Sequence, residues 1–486
     1  MSIRIIAIAI LVLTIFSKEI DTTVQEETKS SSPQPSTSTE QKEKEKIEEV
    51  VEESKPEEKE EEELPKYITF PIPYENNEDF LVTALGIGTP RTYFPVQVDT
   101  STSTTWVPST KCSNCKSYLK YNSSLSNSSI DSEDTVELFD EDGNLKGIIT
   151  HDDVQVDQYI IKNFTFIQAK ELQDNYRDFE DGKLGLGYYH SNKEMSFIEM
   201  LKENGLIDQK VFTIKELNES FGEITIGKYP ETEEYPYCNV SSTEDLDDNF
   251  KESWLCKLSY ISINTLKANE TLNQEKIVKH MIDLDDSLIS FDTASSYIIA
   301  PYEFVSTFES EFFDKYYKGI CRKTNNANDI VFLCNKIKFS NDTIKNITKE
   351  LTLSFIIEGT SYDLEVKKLF EPVDKDNVEF FVHFRKYNEL VWNIGHPFVH
   401  DYTLVFDGEN GRVGLIGKHT DVSAQIEKSN DTLWNKIKNK EWFTYALIGG
   451  AIILGLLLLF LIYRCIRRSS KDNNDKISLV NNENKA

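Results

Sequence analysis

Histidine and positive charge are scarce in this sequence of 486 residues. Seven histidines are present, and 53 Lys and Arg residues are outnumbered by 82 Asp and Glu residues, which gives a formal net charge of −29. The histidines form no His-Glu-x-x-His spacing, so a zinc hydrolase site of that type is excluded, and we expect neither a metal nor another cofactor. No basic surface stands out that would neutralise phosphates, which argues against nucleic acid as a partner.

The sequence also lacks a Gly-x-Ser-x-Gly segment, which excludes a serine hydrolase of the nucleophile-elbow type. Helical periodicity is sparse, and the best helical stretches are 196–203 and 301–317. From residue 67 to residue 420 the chain consists of short β-type runs separated by polar turns. Two related halves of this kind predict an all-β body with two lobes, at about 67–245 and 246–420.

Two segments near the N-terminus differ from this body. Residues 3–16 are apolar but too short for a comfortable membrane span, so they predict a signal peptide over 1–17, with an uncleaved anchor as the alternative. Residues 18–66 are polar, acidic and of low complexity, so they cannot bury enough apolar surface to fold. We expect a disordered stalk or a degenerate prosegment there.

One long apolar run lies near the C-terminus, over residues 443–463, and four basic residues follow it closely: Arg464, Arg467, Arg468 and Lys471. A run of about twenty residues spans a bilayer, and the basic cluster places the tail in the cytosol. We therefore predict a stem at 421–441, a single transmembrane helix at 442–463 and a cytosolic tail at 464–486. A buried core helix is the alternative interpretation of the run.

Glycosylation signals and cysteines agree with a body in the secretory pathway or outside the cell. Nine Asn-x-Ser/Thr sequons all lie between the predicted signal peptide and the predicted span, at Asn122, Asn127, Asn163, Asn218, Asn239, Asn269, Asn341, Asn346 and Asn430. Six of the seven cysteines lie on the same side, an even number that suits an oxidising compartment. Cys465 lies beyond the span, where palmitoylation and a plain cytosolic thiol are both open.

A short pattern occurs twice, nearly two hundred residues apart. Residues 98–103 read Val-Asp-Thr-Ser-Thr-Ser, and residues 291–296 read Phe-Asp-Thr-Ala-Ser-Ser. Each copy puts an Asp at the end of an apolar, strand-like run. The repeat indicates an internal duplication that brings Asp99 and Asp292 together, and two adjacent carboxylates are able to activate a water molecule against a peptide carbonyl.

Other segments resemble the pepsin family of aspartic proteases (family A1). They are Gly-Ile-Gly-Thr-Pro at 86–90, Trp-Val-Pro-Ser at 106–109, Asp-Gly-Lys-Leu-Gly-Leu-Gly at 181–187, Trp-Asn-Ile-Gly at 392–395 and Arg-Val-Gly-Leu at 412–415. The resemblance covers residues 67–417 in family order. It implies a bilobal fold with a cleft between two related β lobes, a polypeptide substrate and a monomer.

The resemblance also implies roles for individual residues. Asp99 and Asp292 match the catalytic pair, and Thr100 and Thr293 match the threonines that cross-link the two active-site loops. Two further hydroxyl residues stand where the family bonds the carboxylates, namely Thr102 and Ser295.

The sequence departs from the family pattern at three places around the site. The motif glycines are replaced by Ser101 and Ala294, whose Cβ atoms take up room that glycine leaves for substrate and water. The Ser101 hydroxyl also competes for the hydrogen bonds of the carboxylate. Alignment of the flap puts Phe139 and Asp140 where the family has a Tyr over the substrate. These changes leave impaired or lost catalysis open as an alternative, although both Asp residues of the family pair are kept.

Three disulfides are predicted: Cys112 with Cys115, Cys238 with Cys256, and Cys321 with Cys334. The first and third have counterparts in the two lobes of the family. The second follows from proximity in sequence once the other four cysteines are assigned.

Two hypotheses of function therefore remain open, with a third behind them. The first is a membrane-anchored aspartic endopeptidase of the secretory or endolysosomal pathway or the cell surface. The second is a non-catalytic glycoprotein that binds peptides or acts as a receptor through the same cleft. A structural surface protein is the third. Hydrolysis of a peptide library at acid pH, with and without a statine-type inhibitor, separates the first two.

Overall fold

The computed structural model describes residues 66–428 and a short stretch near the C-terminus. The described part omits residues 74–80, 141–142, 174–180, 189–194, 219–220, 232–233, 243–245, 247–249, 266–276, 278–280, 285–286, 327 and 387–389, and near the C-terminus it comprises 457–458 and 460–462. The predicted signal peptide, nearly all of the acidic segment and the predicted tail lie outside it.

Short β-strands dominate the described residues, as the alternating and apolar runs of the sequence predict. In chain order they are β1 (Ile68–Pro73), β2 (Val82–Ile87), β3 (Thr92–Asp99), β4 (Trp106–Pro108), β5 (Ile130–Asp140), β6 (Gly143–Val156), β7 (Tyr159–Leu172), β8 (Lys183–Gly185), β9 (Val211–Asn218), β10 (Phe221–Ile226), β11 (Tyr237–Asn239), β12 (Leu255–Thr265), β13 (Met281–Asp283), β14 (Leu288–Phe291), β15 (Ile298–Pro301), β16 (Cys321–Asn326), β17 (Asp329–Asn335), β18 (Leu351–Ile357), β19 (Thr360–Glu365), β20 (Phe370–Pro372), β21 (Asn377–Phe380), β22 (Val382–Arg385), β23 (Val391–Ile394), β24 (Thr403–Asp407), β25 (Arg412–Ile416) and β26 (His419–Asp421).

The two halves of the chain repeat one strand arrangement. In the first half, β3, β8, β4 and β7 lie side by side, and their pairings are parallel, antiparallel and parallel. In the second half, β14, β23, β15 and β22 lie in the same order with the same three pairings. Because β3 ends at Asp99 and β14 ends immediately before Asp292, the duplication inferred from the sequence is present in the fold.

A third sheet joins the halves. It has the order β1-β10-β9-β24-β25-β11, so strands from the end of the chain pair with strands from the first half. Phe212 of β9 stacks on Phe406 of β24, with ring centroids 4.6 Å apart. Trp254 packs against both rings, and its indole nitrogen donates to the carbonyl of Leu186 at 2.9 Å. Trp254 therefore connects this sheet to Leu186, in the segment that follows β8.

Within the described ranges the helices are short, and two of the regions in which they occur were predicted. Helix α1 (Phe197–Glu203) begins after Ser196, whose hydroxyl accepts from the backbone of Glu199. The stretch predicted at 301–317 is a mixed run of a 3₁₀ turn (Tyr302–Phe304), α2 (Val305–Phe308), a π segment (Glu309–Phe313) and α3 (Asp314–Tyr316).

The sequence analysis missed the helical pair α4 (Lys336–Phe339) and α5 (Asp342–Glu350) and the turn α6 (His396–Val399). The first two begin at Asn335 and Asn341, whose side chains cap them. Single capping residues before such short elements are a weak signal in a chain rich in asparagine.

The structure contains the three predicted disulfides. Cys112 and Cys115 close a short loop after β4, and Cys321 and Cys334 face each other across the antiparallel pair β16–β17. Cys238 of β11 is bonded to Cys256 of β12, so this bond connects the joining sheet to the first strand of the second lobe.

The folded body extends slightly further than the predicted end at residue 420. Asp421 is the last residue of β26, which pairs with β19, and Val422 is fully buried in a small cluster with Ile277 and Ile356. Residues 423–428 are helical. This region is polar in sequence, so the burial of the single residue Val422 was not predicted. Val422 packs the first residues of the predicted stem against the folded body.

No helix in the described ranges is long and apolar enough to cross a membrane. Most of the predicted span at 442–463 lies outside those ranges. Its described residues Leu457, Leu458, Phe460, Leu461 and Ile462 are helical, and each exposes just over half of its surface.

Candidate active site

The two repeated segments come together at the ends of equivalent strands. Asp99 is the last residue of β3 and is fully buried, and Asp292 follows β14 with 6% of its surface exposed. Gly185 of β8 lies opposite Asp99 in the parallel register. A Cβ at residue 185 would come within 2.5 Å of the Ser103 backbone. Only glycine therefore leaves room for the loop that follows Asp99, the first loop; the loop that follows Asp292 is the second loop.

Threonine hydroxyl groups tie the two loops to each other. Thr100 Oγ1 donates to the carbonyl of Phe291 at 2.7 Å and accepts from the backbone nitrogen of Thr293 at 3.1 Å. Thr293 Oγ1 donates in turn to the carbonyl of Val98 at 2.8 Å. Both threonines are fully buried, so water does not compete for these bonds. Each hydroxyl thus reaches the strand end that carries the opposite Asp.

A glutamine adds another link between the lobes. Gln97 is fully buried on β3, and its Nε2 donates to the carbonyl of Ala294 at 3.1 Å. The bond fixes the second loop at the residue that replaces a motif glycine.

The carboxylate of Asp99 is surrounded by donors. Its Oδ1 accepts from the backbone nitrogen of Ser101 at 2.7 Å and from the Ser101 hydroxyl at 2.6 Å. The hydroxyl bond is the competition that the sequence leads us to expect from this replacement. Its Oδ2 lies 3.0 Å from Nζ of Lys183, and both side chains are almost completely buried. Asp99 therefore faces a positive charge inside the protein.

The carboxylate of Asp292 has neutral partners at the matching places. Its Oδ1 accepts from the backbone nitrogen of Ala294 at 2.8 Å, and its Oδ2 accepts from Nδ2 of Asn393 at 2.8 Å. Asn393 is also buried.

The hydroxyl groups of Thr102 and Ser295 do not bond the carboxylates as the sequence predicts. Thr102 Oγ1 donates to Oε2 of Glu252 at 3.0 Å, and Ser295 Oγ donates to the carbonyl of Tyr297 at 3.0 Å. Glu252, which also accepts from the Ser103 nitrogen at 2.7 Å, competes for the first hydroxyl, and a local turn takes the second.

The predicted flap residues lie at the end of a long hairpin. Phe139 and Asp140 are the last residues of β5, which pair with Asn144 and Gly143 of β6. Their side chains lie outside the described part of the structure, so their relation to a substrate stays a prediction. Within that part, no group of three His, Cys, Asp or Glu residues is arranged to hold a metal ion.

The site combines a duplicated strand order, an Asp in each copy and threonines that link the two copies. Comparison with known protein families gives a match over the same part of the chain. Residues 81–417 match a model of the family described as eukaryotic aspartyl protease. The chain belongs to this family. The match spans both lobes and both Asp loops of the aspartyl protease body described above.

Individual relatives are similar at low identity. Vacuolar protease A of Arthroderma otae is 27% identical over 257 residues, which cover 51% of this chain and 60% of that protein. Pepsin II-2/3 of Oryctolagus cuniculus is 24% identical over 347 residues, which cover 68% and 79%. Pregnancy-associated glycoprotein 1 of Sus scrofa is 32% identical over 134 residues, which cover 26% and 34%. The chain thus spans about 60% of the fungal relative's length.

Three residues of the site were not predicted as site residues from the sequence, although two of them carried a usable signal. Lys183 is a charge directly before the apolar run of residues 184–186, and Asn393 is an amide between Trp392 and Ile394. A polar residue in a run that reads as a buried strand needs a partner, and each has an Asp. Glu252 lies in the irregular segment before β12, where no pattern marks it.

His396 lies at the start of α6, directly after Gly395, and 1% of its surface is exposed. Burial, with a smaller contribution from nearby His400, lowers the pKa of His396 to about 3. In the unfolded chain a histidine has a pKa of about 6.5. As the pH falls below that value, the histidine is protonated in the unfolded chain but stays neutral in the folded chain. The free energy of unfolding therefore decreases at acid pH.

We therefore predict that His396→Gln makes the free energy of unfolding less sensitive to pH between about 4 and 6.5. The difference in slope has an upper limit of about 1.4 kcal/mol per pH unit. Urea unfolding of both proteins across this range measures it. His419→Gln, at an exposed histidine, is the control and should leave the slope unchanged. Parallel curves for the wild type and His396→Gln would contradict the prediction.

Proposed function

We propose that this chain is a membrane-anchored aspartic endopeptidase that uses Asp99 and Asp292 to hydrolyse peptide bonds. The observation that carries the proposal is the threonine cross-link, because it holds one carboxylate from each lobe at the junction of the lobes. The family, whose relatives include proteins named as pepsins, supports the same reaction.

The reaction needs one ionised and one protonated carboxyl group. The ionised group takes a proton from a water molecule, whose oxygen forms a bond to the carbonyl carbon of the substrate. The protonated group gives its proton to the carbonyl oxygen, which yields a gem-diol. The C–N bond then breaks as a diol hydroxyl returns a proton to the second group and the first group protonates the leaving nitrogen. No covalent intermediate forms.

Asp99→Asn and Asp292→Asn are each expected to lower kcat by about 10²-fold to 10⁴-fold or more, because neither carboxylate alone is able to act as base and acid in one step. The losses should not add in the double variant, since the pair works as a unit. Hydrolysis of a quenched peptide mixture between about pH 3 and 6, the range that a shared-proton pair suggests, measures this. Asp157→Asn, on an exposed turn, is the matched control. Activity that survives both site changes rules out the aspartic mechanism.

The Ser101 hydroxyl favours a second candidate function, peptide binding without hydrolysis. This hydroxyl donates a hydrogen bond to Asp99 Oδ1 at 2.6 Å. A side chain at this place competes with a water molecule for the carboxylate. A peptide-binding or receptor role without hydrolysis would follow from the same cleft, and Ala294 adds a second Cβ at the matching place of the other loop.

Ser101→Gly combined with Ala294→Gly separates the two functions. For an endopeptidase we expect a higher rate of peptide hydrolysis, because side-chain atoms leave the space of water and substrate. Ser101→Ala is the matched variant that removes only the hydroxyl, so it divides the gain between the hydrogen bond and the Cβ. A double-glycine variant that folds correctly, binds peptides and cleaves none favours the binding role.

Membrane attachment is the remaining part of the proposal. The five described residues of the predicted span, Leu457, Leu458, Phe460, Leu461 and Ile462, form exposed apolar helix, which favours a surrounding lipid over water. With the basic cluster at 464–471, this supports a single-pass type I protein whose body is lumenal or extracellular.

In sealed microsomes we expect added protease to trim only the tail, and glycosidase to lower the apparent mass of the protected body. The N-terminus should be cleaved near Ser17. A chain that stops at residue 441 is the control, and it should be released in soluble form because it lacks the apolar run. A digested body with a protected tail would reverse the orientation.

A further inference from the structure

Lys183 and Asn393 occupy equivalent positions in the two lobes. Lys183 lies opposite Gln97 in the parallel pair β3–β8, and Asn393 lies opposite Ser290 in the parallel pair β14–β23. Each partner, Gln97 or Ser290, stands two residues before the Asp of its lobe. The same place in a duplicated fold thus holds a lysine in one copy and an asparagine in the other.

Each of these side chains reaches the Oδ2 atom of the Asp in its own lobe. Lys183 Nζ lies 3.0 Å from Asp99 Oδ2, and Asn393 Nδ2 lies 2.8 Å from Asp292 Oδ2. Lys183 exposes 2% of its side chain and Asp99 none. A buried ammonium is costly unless a negative charge compensates it, and the Asp99 carboxylate is the counter-charge within contact distance.

Asn393 imposes no such condition on Asp292. An amide carries two donors on nitrogen and an acceptor on oxygen, so it bonds a carboxylate through Nδ2 or, after rotation of the amide, a protonated carboxyl through Oδ1. Asp292 therefore has a partner that tolerates its proton, whereas the ammonium beside Asp99 does not.

Two other charged residues lie near this pair in space or in sequence. Glu252 contacts the first loop through Thr102 and Ser103, and Asp181 precedes Lys183 by two residues. β4, which pairs with β8 at Trp106, has no titratable side chain. The ammonium of Lys183 is in direct contact with the carboxylate of Asp99, at 3.0 Å.

We propose that Lys183 is a positioning residue that assigns the two catalytic roles, with Asp99 as the base and Asp292 as the carrier of the proton. This rests on the proposed endopeptidase function. In the first step, water loses a proton to Asp99, its oxygen bonds to the carbonyl carbon, and Asp292 protonates the carbonyl oxygen. The ammonium of Lys183 compensates the negative charge of the Asp99 carboxylate, so the proton of the pair belongs to Asp292.

The pH dependence of hydrolysis tests this assignment. Lys183→Met keeps the length of the side chain and removes the charge, so the profile of kcat/KM should move to higher pH, by about 1 to 3 on the pH scale. Above the wild-type optimum, the variant should then be faster by about tenfold for every pH unit that the profile moves. Lys210→Met breaks a 3.0 Å ion pair with Glu199 outside the site and should leave the profile in place. A Lys183→Met profile that coincides with that of the wild type overturns the proposal.

Thermal unfolding tests the charge pair without reference to activity. Asp99→Asn leaves Lys183 buried without a counter-charge, so it should lower Tm by on the order of 5 °C more than Asp292→Asn does. Adding Lys183→Met to Asp99→Asn should restore most of that difference, because the pair is then neutral. Equal losses for the two Asp changes, with no rescue, overturn the assignment. If no variant cleaves peptides while the rescue is observed, the endopeptidase function fails and the charge pair stands.

Discussion

The hydrogen bonds of Thr100 and Thr293 hold the two lobes in register at the place where their strands end. Each threonine directly follows an Asp, and its hydroxyl bonds a carbonyl at the end of the opposite strand, at 2.7 and 2.8 Å. The position of one carboxylate is thereby tied to the backbone that carries the other. The Ser103 backbone packs closely against Gly185, and Trp254 bonds the carbonyl of Leu186. Both contacts hold the loop that follows Asp99 in place, and without them the hydrogen bonds between the lobes would be lost.

The sequence predicted those parts of the fold that depend on repetition and on local pattern. The two Asp segments indicated the duplication, and the cysteines indicated three disulfides that the structure contains. Contacts between residues distant in sequence were less accessible. Thr102 bonds Glu252, which is 150 residues away, and nothing in either segment marks the other. Short helices such as α5 were missed because a helix of nine residues is too short to be stable alone and depends on packing against the body.

The fold is duplicated, but the charges at its centre are not. Backbone nitrogens of Ser101 and Ala294 donate to the two Asp residues in the same way, at 2.7 and 2.8 Å, so the loop geometry is symmetric. The asymmetry comes from side chains alone, through Lys183 and the Ser101 hydroxyl on one side and Asn393 on the other. Substitutions in a symmetric backbone frame thus give the two carboxyl groups different chemical surroundings.

Two buried groups are relevant as the solution becomes more acid. In the mechanism proposed above, Lys183 compensates the carboxylate of Asp99 in a pair that is expected to work at acid pH. His396, whose pKa burial lowers to about 3, removes stability over the same change, since the unfolded chain is protonated first. His396 lies beside the second loop, where its backbone nitrogen donates to the carbonyl of Ser295 at 2.9 Å. The pH range of the proposed hydrolysis is therefore limited on the acid side by the stability that His396 removes from the fold.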